Sequence, residues 1–103
     1  MSTIAGRRRT QRAKVAKAPP GREFHFYLDV GVPANKSAST LKEFEECLKV
    51  VDSRSIAFHL DRGDFEKWVS EMLKDEALAT TIKGIRDRNL QPEEAKRELV
   101  RAI

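Results

Sequence analysis

A chain of 103 residues, 40% hydrophobic, 35% charged and 7% aromatic, has material for one modest core and no second domain of any size. Its apolar runs are only a few residues long, too short for any of them to span a bilayer. Cys47 is the single cysteine, which excludes an internal disulfide framework and a multi-cysteine zinc site and fits a reducing, intracellular setting.

The net charge of +4 conceals a sharp division. Of the 20 basic residues, seven fall within residues 1–22, which contain no acidic residue; the other 13 share residues 23–103 with 16 acids, leaving that part at −3. Such a split concerns partners more than folding. Ile4 and Val15 are the only sizeable apolar side chains after the first residue of the arm, and Gly6, Pro19, Pro20 and Gly21 interrupt it. It has no face to bury, so residues 1–22 are expected to be a disordered basic arm hinged at Pro19-Pro20-Gly21. A solubilising tail and a targeting peptide are two readings of this arm; the second lacks an amphipathic face. The third, which the cation density favours, is an RNA-binding arm in which Arg7, Arg8, Arg9, Arg12, Lys14, Lys17 and Arg22 contact phosphates or stack on unpaired bases.

The body, residues 23–103, opens with clean alternation. Phe24, Phe26, Leu28 and Val30 lie on one side of a predicted half-buried strand; His25, Tyr27 and Asp29 lie on the other. Gly31 and Pro33 end it, and a loop is expected through Asn35 to Ser39. Thr40 with Glu43 forms a capping-box pattern, followed by a helix whose stripe is Leu41, Phe44, Leu48 and Val51, with Cys47 beside it. Ile56, Phe58 and Leu60 alternate with Ala57 and His59 and predict a second strand. Gly63 then reads as a turn and Asp64 as an N-cap. Phe65, Trp68, Val69, Met72 and Leu73 form the strongest amphipathic stripe of the chain, and Asp75 caps a further helix carrying Leu78, Ile82 and Ile85. Pro92 with Glu93 and Glu94 opens the last helix, carrying Ala95, Leu99 and Ile103. The expected fold is α+β: a strand–helix–strand unit with parallel strands and a right-handed crossover, followed by three helices, with an extended basic N-terminal arm.

The strings Phe24-His25-Phe26-Tyr27, Ser39-Thr40-Leu41-Lys42-Glu43-Phe44, Ser55-Ile56-Ala57-Phe58-His59-Leu60, Arg62-Gly63-Asp64-Phe65-Glu66-Lys67-Trp68 and Leu78-Ala79 resemble a small archaeal family known only as a domain of unknown function. The similarity spans roughly residues 23–88 and is most specific from His59 to Trp68. It implies an archaeal, cytoplasmic source and a compact α+β fold, and brings no catalytic residues. The basic arm lies outside the shared region; a small body with such an arm is similar in organisation to archaea-specific ribosomal proteins.

Candidate chemistry is sparse. His25 and His59, with Asp29 or Cys47, lack the short spacing of a known metal site, and no metal or other cofactor is expected. His25, Tyr27 and His59 form either a stacking platform for unpaired bases or a face covered by the C-terminal helices, with Tyr27 then a core residue. Asp61 and Asp64 pair around Arg62 as catalytic carboxylates sometimes do, but capping and turn formation account for them. No phosphate-cradling loop and no nucleophile–His–acid order is present, so no enzymatic activity, no catalytic residue and no small-molecule substrate are expected. The expected function is that of a structural or accessory RNA-binding protein of the archaeal ribosome, with rRNA and neighbouring ribosomal proteins as partners and no membrane. The alternatives are a protein-interaction or regulatory module with loose nucleic-acid affinity, and general DNA binding by the arm.

Overall fold

Two antiparallel strands followed by five helices make up residues 16–103, the part of the chain that the computed structural model describes. Strand β1, Phe24–Asp29, follows the expected alternation: Phe24 and Phe26 are buried while His25 and Tyr27 face out. It turns through Val30 and Gly31, with Gly31 at φ 73°, a region that glycine enters without steric cost. Val30 sits in this turn and is 75% exposed, not on the inner side of the strand.

The return strand β2, Val32–Ala38, occupies the segment expected as a loop. It pairs antiparallel with β1, from Asp29 opposite Val32 to Phe24 opposite Ala38, with register shifts on both sides of Tyr27. Asn35 at φ 60° lies within the irregular stretch. Only Ala38 of this strand is buried, so backbone pairing, not apolar alternation, makes it a strand. Pro33 is tolerated because an outer strand can forgo one N–H donor. The parallel pairing and crossover expected from the sequence are therefore replaced by a hairpin.

Helix α1, Leu41–Val50, begins with the expected capping box: Glu43 N–H donates to Thr40 Oγ1 at 3.1 Å. The Glu43 carboxylate reaches back to Ser39, accepting its N–H at 2.8 Å and its hydroxyl at 2.9 Å. Helix α2, Ser53–Arg62, replaces the second strand expected over residues 56–60. Its buried residues, Ser55, Ile56, His59 and Leu60, form one helical stripe, while the strand-like alternation of Ile56, Phe58 and Leu60 is coincidental. Asp52 caps its start by accepting Arg54 N–H at 2.8 Å, and Gly63, at φ 76°, closes its end by donating to the His59 and Leu60 carbonyls.

Gly63 also serves as the N-cap of α3, Asp64–Glu71, so the chain passes between the two helices through one residue. Asp64, expected as that cap, is instead the first residue inside α3, and its carboxylate is used elsewhere. Asp75 caps α4, Glu76–Asp87, accepting Leu78 N–H at 3.0 Å as expected. Pro92 is the first residue of α5, Pro92–Ala102, which buries Ala95 and Leu99. The aromatic rings of Phe24, Phe26, Phe44, Phe65 and Trp68 pack at centroid separations of 4.8–6.2 Å and form the centre of the core. The fold class is α+β with helices dominant, as the sequence implies.

Residues 16–22, expected as the end of a disordered arm, lie along the body. Ala18 is 3% exposed and its N–H donates to the Ser39 carbonyl at 2.7 Å. Lys17 forms an antiparallel bridge with Thr40. The Ala16 carbonyl accepts Leu41 N–H at 3.0 Å, satisfying a donor at the first turn of α1 that has no partner within the helix. The Pro19-Pro20-Gly21 hinge is a defined turn, closed by Arg22 N–H on the Pro19 carbonyl at 3.0 Å with Gly21 at φ 79°. Among the described residues, no helix is long and apolar enough to cross a membrane.

Candidate binding groove around His59

Because β1 presents its odd residues outward and α2 and α3 flank it, a groove of about 570 Å³ opens between them. Glu23, His25, Tyr27 and Asp29 line one wall; Phe58, Arg62, Lys67, Trp68 and Glu71 line the other, with His59 at the base. The C-terminal helices do not cover the outer face of β1. Tyr27, weighed above as a core residue on that reading, is 37% exposed.

His59 joins the two walls. Its ring is 4% exposed, and Phe24, Phe26, Tyr27, Phe58 and Phe65 surround it at centroid distances of 4.8–6.4 Å. Tyr27 N–H donates to Nε2 at 2.8 Å. A backbone N–H can only donate, so Nε2 carries the lone pair and the ring hydrogen is on Nδ1. Nδ1–H donates to Asp64 Oδ2, also at 2.8 Å. Burial pushes the His59 pKa down; the hydrogen bond and charge of Asp64 oppose the shift, and Arg62 adds to it. The outcome is a neutral imidazole with one fixed tautomer at neutral pH. Both nitrogens are engaged, so His59 has no free lone pair to offer as a general base or a metal ligand.

Asp64 also accepts Arg62 Nε at 3.2 Å, and the Arg62 guanidinium lies over the Phe58 ring, 4.9 Å from its centroid. The Asp61–Arg62–Gly63–Asp64 segment is thus a helix-to-helix joint that orients His59, with Asp61 exposed and apart from it. Trp68 Nε1–H donates to the Arg22 carbonyl at 2.8 Å and ties the arm's root to α3. Sequence reasoning missed both ties. The His59–Asp64 pair had a readable signal, histidine and aspartate five positions apart across a glycine able to cap two helices. The bond to Tyr27 spans 32 residues and had none.

The histidines are not neighbours on paired strands: His25 is exposed on β1, whereas His59 is buried on α2. Cys47 lies on α1 against the core, its thiol donating to the Ser37 carbonyl at 3.6 Å and pushed up in pKa by burial. No group of three or more His, Cys, Asp or Glu side chains among the described residues is placed to hold a metal ion. Of the seven candidate RNA-contacting cations, Lys17 and Arg22 are exposed on the body, while Arg7, Arg8, Arg9, Arg12 and Lys14 lie outside the described residues.

Among known proteins, the model of the family of unknown function DUF5752 matches residues 1–103. The match includes the basic arm, which the resemblance over residues 23–88 had placed outside the shared region. No curated protein and no solved structure matches the chain.

Proposed function

We propose that this chain, which belongs to the DUF5752 family of unknown function, is a non-enzymatic RNA-binding protein whose basic arm engages the phosphate backbone while its body contacts neighbouring proteins. The observation that carries the reading is the charge division: +7 over residues 1–22 with no acid, against −3 over residues 23–103. Seven cations without an acid among them, three of them adjacent at Arg7-Arg8-Arg9, suit a polyphosphate surface, and contacts of this kind position a protein with little base specificity. The tether of residues 16–22 supports it further. With the Ala16 and Ala18 backbone bonded to Leu41 and Ser39, the root of the arm is fixed on the body, and Lys17 and Arg22 add exposed charge there. A binding role also accords with His59, whose two nitrogens are both committed.

The specific setting we propose is the archaeal ribosome, with the arm against rRNA and the acidic body against adjacent proteins. Fractionation of native lysate on sucrose gradients, probed for this protein at low and high salt, tests it. Co-migration with one ribosomal subunit through moderate salt is the expected result; absence from both subunits at low salt rejects the ribosomal setting. The groove around His59 favours a second reading, a protein-interaction module, under which deletion of residues 1–15 leaves the main complex intact.

A further inference from the structure

We infer that the groove between β1 and the α2–α3 pair is a docking site for an extended, arginine-bearing segment of a partner protein. This inference rests on the groove alone and not on the arm's affinity for RNA. The groove already holds one arginine. Arg62 lies over the Phe58 ring at 4.9 Å while its Nε bonds the Asp64 carboxylate at 3.2 Å, so ring and carboxylate together receive the guanidinium. Tyr27 and Asp29 offer the same pair of groups a short way along the groove: an exposed ring, and a carboxylate two positions on along the outer face of the strand. No cation of the described residues pairs with Asp29, nor with Glu23 or Glu71 on the rim.

Charge selects the occupant. Four carboxylates and two cations line the groove, and Arg62 and Asp64 balance each other, which leaves a negative channel. A phosphodiester chain would be repelled there, which disfavours a base-stacking platform on this face, and His59 is too buried to offer a ring face. A guanidinium gains from both a π face and a carboxylate, and its planar fork suits a carboxylate better than an ammonium does. A volume of about 570 Å³ lies within the ~300–1,000 Å³ range of ligand clefts and accommodates more than one side chain.

The test uses the full chain and a ten-residue peptide alternating arginine and serine, followed by Trp68 emission and by backbone amide shifts. Shifts are expected at Tyr27, Asp29, Trp68 and Glu71, with lysine–serine binding several-fold weaker and glutamate–serine not binding. The near-isosteric double variant Asp29→Asn/Glu71→Gln should bind the arginine peptide roughly tenfold more weakly, as expected for the loss of two exposed ion pairs. Glu93→Gln/Glu94→Gln on α5, distant in the chain from the groove, should bind as the parent does. Equal affinity of the Asp29/Glu71 variant, or shifts elsewhere on the body, would overturn the assignment. So would oligouridylate producing the Tyr27 and Trp68 shifts, which would give the groove to RNA. Concentration-dependent self-association lost in the Asp29/Glu71 variant would also overturn it, by giving the groove to the arm of a second copy.

Discussion

The backbone N–H of Tyr27 donates to Nε2 of His59 at 2.8 Å, so one buried ring fastens the hairpin to the helices. Its other nitrogen fastens α2 to the start of α3 through Asp64. Replacement of His59 by Phe keeps an aromatic ring in the core but removes both bonds, leaving the Tyr27 donor facing an apolar surface. Orphaned buried polar groups cost about 1–3 kcal/mol. His59→Phe is therefore expected to lower unfolding free energy by about 2 kcal/mol in urea melts, with faster amide exchange at Tyr27 than in the parent. Unchanged exchange at Tyr27 would show that the bond does not secure the strand.

The same ring gives stability a pH dependence with a definite sign. Burial holds the folded-state pKa of His59 below its ordinary value near 6.5, so between the two values the unfolded chain binds more protons. The stabilisation is complete above about pH 6.5, declines as pH falls towards the folded pKa, and is fully lost below it; the slope is at most about 1.4 kcal/mol per pH unit. Urea melts between pH 7.5 and 5 should show this decline in the parent and a flat response in His59→Phe. Glu43 and Asp52, both held below the ordinary carboxylate range mainly by backbone N–H donors, act in a lower window. Their contribution is present above their unfolded pKa and lost on further acidification, which keeps the two effects separable.

The legible parts of this fold were those in which one local pattern had one reading. The capping box of Thr40 and Glu43, the Asp75 cap, Pro92 at the start of α5 and the stripe from Phe65 to Leu73 all depend on residues a few positions apart. Ile56 to Leu60 misled because a short apolar run satisfies both periods. The decisive information lay at its ends, where Asp52 and Gly63 bracket a ten-residue helix. β2 was illegible for the opposite reason, since an outer strand that buries only Ala38 carries no apolar alternation. The groove required the hairpin and the α2–α3 joint together, so Tyr27 and His59 were grouped as residues of one sheet face, whereas a helix imidazole bonded to a strand N–H is what joins them.

Gly63 bears two constraints that one substitution can separate. It holds φ 76°, and a Cβ there would meet Arg86 Nη1 at 2.8 Å. Gly63→Ala is expected to cost about 1 kcal/mol for the left-handed backbone, plus the displacement of Arg86 from Glu66, which it pairs with at 3.0 Å. The contacting atom is the end of a flexible side chain, so the second part should be small and removable. In the Arg86→Ala background the cost of Gly63→Ala should therefore shrink to the backbone part, measured by a double-mutant cycle in urea. A full cost in both backgrounds would place the whole effect in the backbone.

Removal of residues 1–15 tests the arm without disturbing the Ala16, Ala18 and Trp68 ties to the body. If all seven cations meet phosphates, the log of RNA affinity should fall with log salt at a slope of about −5 to −6, since each contact contributes about −0.7 to −0.9. The deletion takes away five of the seven cations and leaves Lys17 and Arg22. Its slope should drop to about −1.5, with weak binding even at low salt, while the urea midpoint stays near the parent's. Substituting Lys17 and Arg22 by Gln in the full chain should reduce the slope by roughly the same 1.5. A deletion variant that retained the parent slope would move the RNA contacts onto the body and remove the arm from the proposed mechanism.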